Sequence, residues 1–486
     1  MRLSELISVL PGTKLSHDAD ITGIAFDSRT VKPGELFVAL VGAKADGHDF
    51  VRAAVASGAA AVLAQRRTQE IDVPQLVVKD SRAALGKLSA RFLNYPSRQL
   101  RVIGVTGTNG KTTTTYLIRS IAEAAGKKAG IIGTIAYFTG VEEVSAVNTT
   151  PESLLTQQLL SEMVDAGMDY AAMEVSSQAL DQGRVDDVDF AAGVFTNLSR
   201  EHLDYHKTMA SYARAKGRLF AKLSGDAVLV VNGDDRYVEK VIGRRRRGVI
   251  RFGFKRDVDV RVVSFETGVR GSRARVLSPW GEIDLVTPLA GKHNVYNCVA
   301  ASTVLAALGI DMGAVVRGVA GLSCVRGRLE PVDEGQDFAV FVDYAHTDEA
   351  LKNVLRTVRE LTKKRVIVAF GCGGERDVSK RPRMSRTAEK LADHCVVTSD
   401  NPRGEDPEVI IDQIMRGARD LSKFTVESDR RAAITGAIGM ARPGDLVLIA
   451  GKGHETCQIF KDRRIHFDDR EIAREVLRKV VSKRCG

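Results

Sequence analysis

The sequence predicts an α/β protein of three domains built on doubly wound, mostly parallel sheets. Three observations lead there. The chain has 486 residues, and domains run to roughly 150 residues each. Short β-branched runs ending in Gly or polar clusters alternate with helical patterns along most of its length. Two compositional breaks, at Asn94-Tyr95-Pro96-Ser97 and near Val325-Arg326-Gly327-Arg328, divide that series. The boundaries read from them are 1–97, 98–326 and 327–486.

Taken in order, the opening MRLSELISVLPG carries Glu5 and has no unbroken apolar stretch before a small-residue cleavage site, so a secretory signal is not expected. The Ala-rich stretch Ala53–Ala64, broken by Ser57 and Gly58, is too short to span a bilayer. Strands are predicted at Arg101–Thr106, Tyr170–Val175, Ala192–Asn197 and Ala227–Asn232. The third segment adds Ala339–Asp343, Arg365–Phe370, Cys395–Ser399 and Asp445–Ala450. Continuous apolar runs of this kind are buried on both faces, as parallel strands between helices are. Ligands of such sheets bind beyond the carboxyl ends of the strands, which is where the polar clusters below fall.

Composition narrows the function classes. Apolar residues at 44 % and charged residues at 27 % describe an ordinary globular chain and exclude wholesale disorder. No 20–50-residue repeat suggests a solenoid. The six cysteines, at 298, 324, 372, 395, 457 and 485, form no CxxC pair, so neither zinc nor disulfides are expected and a reducing cytoplasm fits. The net charge of +10 favours acidic partners such as nucleotides. Aromatics do not interleave with the basic residues as stacking platforms would, so no nucleic-acid partner is expected. The run Arg244–Arg247 reads either as an anion patch or as a solvated turn between a helix and a strand.

The sharpest motif is Gly107-Thr108-Asn109-Gly110-Lys111-Thr112-Thr113, which follows a predicted strand and opens a helical run closed by Gly126. A Gly-rich turn there aims backbone N–H groups and a helix N-terminus at phosphate oxygens. Lys111 would lie along the β/γ-phosphates and the Thr112 hydroxyl would reach Mg²⁺. Position 105 is Val, so this is not the common GxxxxGK[ST] loop.

The variant GTNGKTT resembles the ATP loop of the Mur ligase family. Further segments match that family in order: Asp27-Ser-Arg29, Asn148-Thr-Thr-Pro151, Glu174-Val-Ser-Ser177 and Asn197-Leu-Ser-Arg-Glu-His-Leu-Asp204. They continue with His293-Asn-Val-Tyr-Asn297, Gly327-Arg-Leu-Glu330, Asp343-Tyr-Ala-His346, Gly371-Cys-Gly-Gly374, Asp400-Asn-Pro-Arg403 and Gly451-Lys-Gly-His-Glu455. The resemblance implies a smaller N-terminal α/β domain for a uridine nucleotide, a central P-loop-type domain for ATP, and a C-terminal Rossmann-like domain for an incoming amino acid. It implies an ATP- and Mg²⁺-dependent amide ligase in the cytoplasm, acting as a monomer without membrane insertion. The reaction it implies joins an amino acid to UDP-N-acetylmuramoyl-L-alanyl-D-glutamate.

By the same resemblance Thr112, Glu174, His202 and Lys216 hold the metal, with Lys216 carbamylated to an N6-carboxylysine, and Lys111 joins them as catalytic. Read without it, Glu174 is equally a helix cap, His202 a structural histidine and Lys216 a solvated helix residue. Asn294, Asn297, Arg328, Asp343 and His346 resemble nucleotide contacts, with a cap or turn role as the alternative. Phe26, Ser28, Ala43, Lys44 and Ala45 match the uridine pocket. Asn148, Thr149, Thr150, Ser176, Gln182 and Arg184 match contacts to the muramoyl-dipeptide.

For the added amino acid, meso-2,6-diaminopimelate differs from lysine by one distal carboxylate. A fixed guanidinium selects it by gripping that group with two parallel bonds. Arg403 in DNPR is the candidate, or else a surface ion pair. Arg376, Asp400, Asn401, Pro402, Gly451 and Glu455 resemble the remaining contacts, Glu455 suiting the distal ammonium. Gln178, Asp348 and Glu375 depart from the family pattern. Lysine addition, a folate polyglutamylating ligase and a basic nucleotide-binding module are the competing readings.

Overall fold

The computed structural model describes every residue except Ala43, Lys44, Val141, Arg246 and Gly486, with the side chains of residues 483–485 also outside the description. The chain forms two compact units, residues 1–259 with 300–315, and residues 260–299 with 316–486. Two members of the predicted uridine pocket, Ala43 and Lys44, and Arg246 of the arginine run lie outside the described residues.

The first unit contains two sheets. Strands β1 (Gly23–Ala25), β2 (Glu35–Val38), β3 (Ala61–Ala64) and β4 (Gln75–Val77) pair in that order, all parallel. Leu36, Val38, Leu63 and Leu76 from them close on Leu85 and Leu88 of helix Ser81–Phe92, whose N-terminus Asp80 caps by accepting from the Arg82 and Ala83 amides. The chain then turns through Asn94 and Tyr95, both left-handed, into the second sheet.

That sheet uses β5 (Arg101–Thr106), β6 (Ala129–Ile132), β7 (Ala136–Phe138), β8 (Glu143–Ser145), β9 (Tyr170–Glu174), β10 (Phe190–Phe195), β11 (Val228–Asn232) and β12 (Val249–Gly253). Their order is β12-β11-β10-β5-β9-β6-β7-β8, parallel except at the β6-β7-β8 edge. β5 and β9 are buried at nearly every position, as strands covered by helices on both faces must be. Arg244, Arg245 and Arg247 lie between helix Val238–Ile242 and β12, and Arg245 donates to the carbonyls of Leu223 and Ser224 past the end of helix Met209–Lys222.

The second unit opens with the antiparallel meander β13 (Val260–Gly268), β14 (Gly271–Ser278) and β15 (Gly281–Thr287). Its main sheet comprises β16 (Glu330–Pro331), β17 (Ala339–Asp343), β18 (Val366–Phe370), β19 (His394–Val397), β20 (Phe424–Val426) and β21 (Leu446–Ala450). The order β16-β17-β21-β18-β19-β20 is parallel apart from β16. One apolar layer, including Leu351, Leu355 and Met384, covers one face, and another, including Ile434, Ile438 and Leu477, covers the other. A small hairpin, β22 (Cys457–Ile459) with β23 (Arg464–His466), follows. Among the described residues no helix is long and apolar enough to cross a membrane, and five cysteines are free thiols.

Candidate active site

In the first unit three strand ends meet. Val105 of β5 is in register with Glu174 of β9, and Thr106 with Phe195 of β10, so the segments leaving these strands emerge side by side. Gly107 follows β5 directly. A Cβ there would stand 1.9 Å from Thr196 Oγ1, so no larger residue fits between the two segments. Gly110 adopts φ 87° and starts helix Lys111–Ala124. The segment after β10 braces the loop. Asn197 accepts from the Asn109 amide at 3.0 Å and donates to its carbonyl at 3.0 Å, while Thr196 Oγ1 donates to the same carbonyl at 2.6 Å. The Ser199 amide donates to Thr108 Oγ1 at 3.0 Å. The loop backbone is thus fixed by its neighbours, with Thr112 and Thr113 buried in the first helical turn.

Lys216 is 1 % exposed, on the buried face of helix Met209–Lys222. Its Nζ donates to the Gly107 carbonyl at 2.7 Å and lies 4.7 Å from the Tyr212 ring centroid. Lys111 Nζ donates to the same carbonyl at 2.9 Å and to that of Thr108 at 2.8 Å. Burial, with the nearby Lys111 charge, pushes the Lys216 amine far below its ordinary range, against a smaller opposing pull from Glu201. The solvated-helix reading of Lys216 is therefore excluded, since this lysine is interior and inclined to be neutral.

Glu174 is fully buried, with Oε1 accepting from the Thr134 amide at 2.8 Å and Oε2 from its hydroxyl at 3.0 Å. Thr150 Oγ1 donates to the Glu174 carbonyl and accepts from the Ser176 amide, and Thr149 Oγ1 meets Thr134 Oγ1 at 3.0 Å. Arg184 donates to the Thr150 carbonyl, and the Tyr137 hydroxyl bonds both the amide and carbonyl of Asn148. The predicted dipeptide contacts Asn148, Thr149, Thr150, Ser176 and Arg184 thus gather around Glu174, with Gln182 half-buried at the end of the short helix Ser177–Asp181. His202 takes a left-handed backbone (φ 55°), and its Nδ1 sits 3.3 Å from the Gln178 amide nitrogen. Burial, helped by Lys111 and Lys216, lowers its pKa and keeps a lone pair available. Thr134 and Tyr212 were not singled out in the sequence. Tyr212 lies one helical turn before Lys216, a spacing that marks a shared buried face.

Among the described residues no group of three or more His, Cys, Asp or Glu side chains is placed to hold a metal. The donors at hand are the Thr112 hydroxyl, the Glu174 carboxylate and the His202 ring. A sparse set of two oxygen donors and one imidazole fits Mg²⁺ through its oxygens, since that ion keeps waters and takes substrate phosphates rather than a complete protein cage, although imidazole is an unusual ligand for it.

At the N-terminal sheet Phe26 is half-buried against the core, and Ser28 follows Asp27, which binds the Arg29 guanidinium and amide. That ion pair holds the Asp27 carboxyl below its usual range. Ala45 is exposed and accepts from the Gly42 amide at 2.9 Å.

The second unit has its own convergence of strand ends. Asp343 of β17 pairs with Ala450 of β21, and Phe370 of β18 with Val397 of β19. Asp343 is half-buried, its loss of hydration raises its pKa, and its carboxylate accepts from the Leu329 and Ala345 amides. The Tyr344 ring meets the rings of His346 (centroids 4.6 Å apart) and His454 (4.8 Å) at tilted angles, with the Arg328 guanidinium 5.4 Å from it. Asn294 and Asn297 are buried in the first turns of helix Lys292–Ala307, Asn294 donating to the Ala290 carbonyl and Asn297 to Asn294 Oδ1.

The DNPR loop is locked against the loop after β18. The Gly374 amide donates to the Asn401 carbonyl at 2.9 Å, and a Cβ on Gly374 would fall 1.9 Å from the Pro402 carbonyl oxygen. Arg403, left-handed at φ 51°, donates through Nη1 to the Gly374 carbonyl at 3.0 Å and weakly to that of Asn401. Among the described residues it makes no ion pair, so the surface-salt-bridge reading does not hold. Arg376 is exposed. Below the loop the Arg430–Asp469 pair is fully buried at 2.7 Å, and Arg430 also donates to the Ser399 and Ala450 carbonyls, joining the ends of β19 and β21. Asn401 donates to Glu455 Oε2 at 2.8 Å, and Gly451 follows β21 with φ 121°. Of the three departures, Gln178 faces His202, Asp348 opens helix Asp348–Leu361, and the Glu375 amide bonds Glu405.

Three family profiles cover most of the chain: the Mur ligase family catalytic domain over 20–93, the Mur ligase middle domain over 105–305, and the Mur ligase glutamate ligase domain over 327–453. A UDP-N-acetylmuramoyl-L-alanyl-D-glutamate--2,6-diaminopimelate ligase of Geobacillus kaustophilus is 45 % identical, covering 99 % of this chain and 100 % of that one. The protein of the same name from Syntrophomonas wolfei is also 45 % identical, over 96 % of each chain. A solved structure of such a ligase matches with TM-score 0.69 and 33 % identity, over 94 % of this chain and 95 % of that one. The MurF ligase of Thermotoga maritima in complex with ADP matches in fold, with TM-score 0.65 and 21 % identity over 95 % and 98 % of the two chains. Matched from end to end at that level of identity, the chain belongs to the Mur ligase family.

Proposed function

We propose that this protein is an ATP-dependent ligase that adds meso-diaminopimelate to UDP-N-acetylmuramoyl-L-alanyl-D-glutamate in peptidoglycan synthesis. The observation that carries this reading is full-length identity of 41–45 % to ligases of that name, spread over both units. The Arg403 guanidinium, which bonds two carbonyls but makes no ion pair among the described residues, supports diaminopimelate over lysine. Lysine would bring an ammonium against it and leave it without a carboxylate.

Amide formation needs a better leaving group than oxide. The D-glutamyl γ-carboxylate takes the γ-phosphoryl group of ATP, ADP leaves, and the acyl phosphate is then open to the amine of diaminopimelate. The amine displaces orthophosphate and loses its proton. The N–H groups of residues 107–113 hold the phosphates, and Lys111 offsets their charge in line with the transfer. Thr112, Glu174 and His202 are the residues that would hold Mg²⁺, which when bound neutralises charge shared by the phosphates and the carboxylate. Lys216 completes that set as a carbamate. Its neutral amine attacks CO₂, a proton leaves, and the resulting N-carboxylate supplies oxygen donors where an amine would be a poor magnesium ligand. Asn148, Thr149, Thr150, Ser176, Gln182 and Arg184 orient the dipeptide, and Phe26, Ser28 and Ala45 the uridine end. Asn294, Asn297, Arg328, Asp343 and His346 serve the nucleotide, and Arg376, Asp400, Asn401, Pro402, Arg403, Gly451 and Glu455 the amino acid. The three stretches 1–97, 98–326 and 327–486 act as separate substrate-binding domains of a cytoplasmic monomer.

The test is phosphate release from ATP with the UDP-muramoyl-dipeptide, in the presence of diaminopimelate, of lysine, or of neither. Release that requires diaminopimelate is expected. Release independent of any amino acid would refute the ligase reading, and equal use of lysine would refute the role given to Arg403.

A further inference from the structure

The geometry points to Lys452 as a positioning residue that fixes Glu455, directly and through Asn401, for the incoming amino acid without touching it. The inference rests on the assignment of Glu455 to the substrate ammonium. Lys452 has no exposed surface. Its Nζ lies 3.0 Å from Asn401 Oδ1, 3.2 Å from Glu455 Oε2 and 4.0 Å from Asp400 Oδ1.

Burying an ammonium is costly unless its surroundings compensate, and a side chain that only filled this volume would be apolar. The compensation here consists of groups from the two motifs that flank the amino-acid site, GKGHE and DNPR. Asn401 is the hub. Its Oδ1 accepts from Lys452 and from the Ile459 amide at 3.0 Å, and its Nδ2 donates to Glu455 Oε2. With two donors on one side and a carboxylate on the other, the amide has one satisfied orientation.

Glu455 Oε2 therefore receives two donors, from Asn401 and Lys452, while Oε1 has no hydrogen-bond partner among the described residues. One oxygen is anchored and the other is left to accept. Lys452 also stands close to two carboxylates, 4.0 Å from Asp400 Oδ1 and 3.2 Å from Glu455 Oε2. The Glu455 oxygen left to accept suits one ammonium of a ligand. Without Lys452 the carboxylates repel each other, and Glu455 loses half of its anchor. Lys452 thus acts through Glu455, on amino-acid affinity and not on the phosphate loop.

The test compares full-length wild type with Lys452→Met, Glu455→Gln and the double variant, each measured for KM of diaminopimelate, KM of ATP and kcat. Lys452→Met is expected to raise the diaminopimelate KM by about 30-fold, with kcat falling by less than about fivefold and the ATP KM within about twofold. Because Lys452 works through Glu455, the double variant is expected to match Glu455→Gln within about twofold. Effects that multiply in the double variant, or an unchanged diaminopimelate KM in Lys452→Met, would overturn the assignment. If Lys452→Met loses its cooperative melt, Lys452→Arg keeps the charge but alters the reach and is read by the same cycle. A wild type whose phosphate release ignores diaminopimelate would overturn this inference together with the function it rests on. Diaminopimelate-dependent wild type beside a silent Lys452→Met would overturn this inference alone.

Discussion

The two strand-end convergences solve different recognition problems with different materials. Around β5, β9 and β10 the work falls to main chain and hydroxyls: Gly107, Gly110, Thr112 and the Asn197 clamp on Asn109. The ionisable groups there include two lysines on one carbonyl, the buried carboxylate of Glu174 and a histidine of lowered pKa. Around β17, β18, β19 and β21 the site is a preformed network of full charges, Lys452 with Glu455 and Asp400, beside an Arg403 that meets no carboxylate among the described residues. A triphosphate is the same in every reaction and is matched by backbone N–H groups. An amino acid must be told from its analogues, which calls for side chains whose partners are missing until the right ligand arrives.

The comparison predicts separable failures. The largest effect is expected for Lys216→Ala, which would remove the proposed carbamate and should lower turnover by about 10³-fold or more, with partial rescue by short-chain carboxylates. Wild-type-like turnover in that variant would remove Lys216 from the chemistry. Next, Arg403→Ala should raise the diaminopimelate KM by about 100-fold, the equivalent of losing a charge-assisted bidentate contact, with little change for ATP. Equal changes in both KM values would show that the loop, not the guanidinium, is responsible.

Arg430→Met tests the scaffold under the second site. It leaves Asp469 buried without its partner and should cost about 3–5 kcal/mol of stability, read as a lower thermal midpoint. An unchanged midpoint would mean the pair carries no structural weight.

The smallest effect concerns pH. Burial, with Arg328, Arg470, His346 and Arg326 nearby, lowers the His454 pKa to about 4. Between that value and the unfolded value near 6.5 the unfolded chain binds the extra proton, so this histidine's contribution to stability is lost as pH falls through that window. His454→Gln should flatten the thermal midpoint between pH 7 and 5 relative to wild type, and a variant with the wild-type slope would contradict this.

Much of this was legible in the residues. All eight predicted strands occur within a residue or two, because strands covered on both faces leave unbroken apolar runs. GTNGKTT announced its loop because the glycines have no substitute there. The meander β13–β15 went unseen for the complementary reason. It is half exposed, so Arg and Glu alternate with apolar residues and no run stands out. Lys216 carried a signal in its spacing, since Tyr212 and Phe220 one turn away on either side put it on the buried face. The interior pair Arg430–Asp469 joins residues 39 apart in sequence, and no local pattern foretells such a meeting.

The account depends most on the transfer of phosphate to the peptide acid, and isotope tracing tests that step directly. With ¹⁸O in the γ-carboxylate of the D-glutamyl residue, one turnover should carry one labelled oxygen into orthophosphate. Orthophosphate free of label, formed alongside the tripeptide product, would contradict the acyl phosphate and the roles assigned to the phosphate loop.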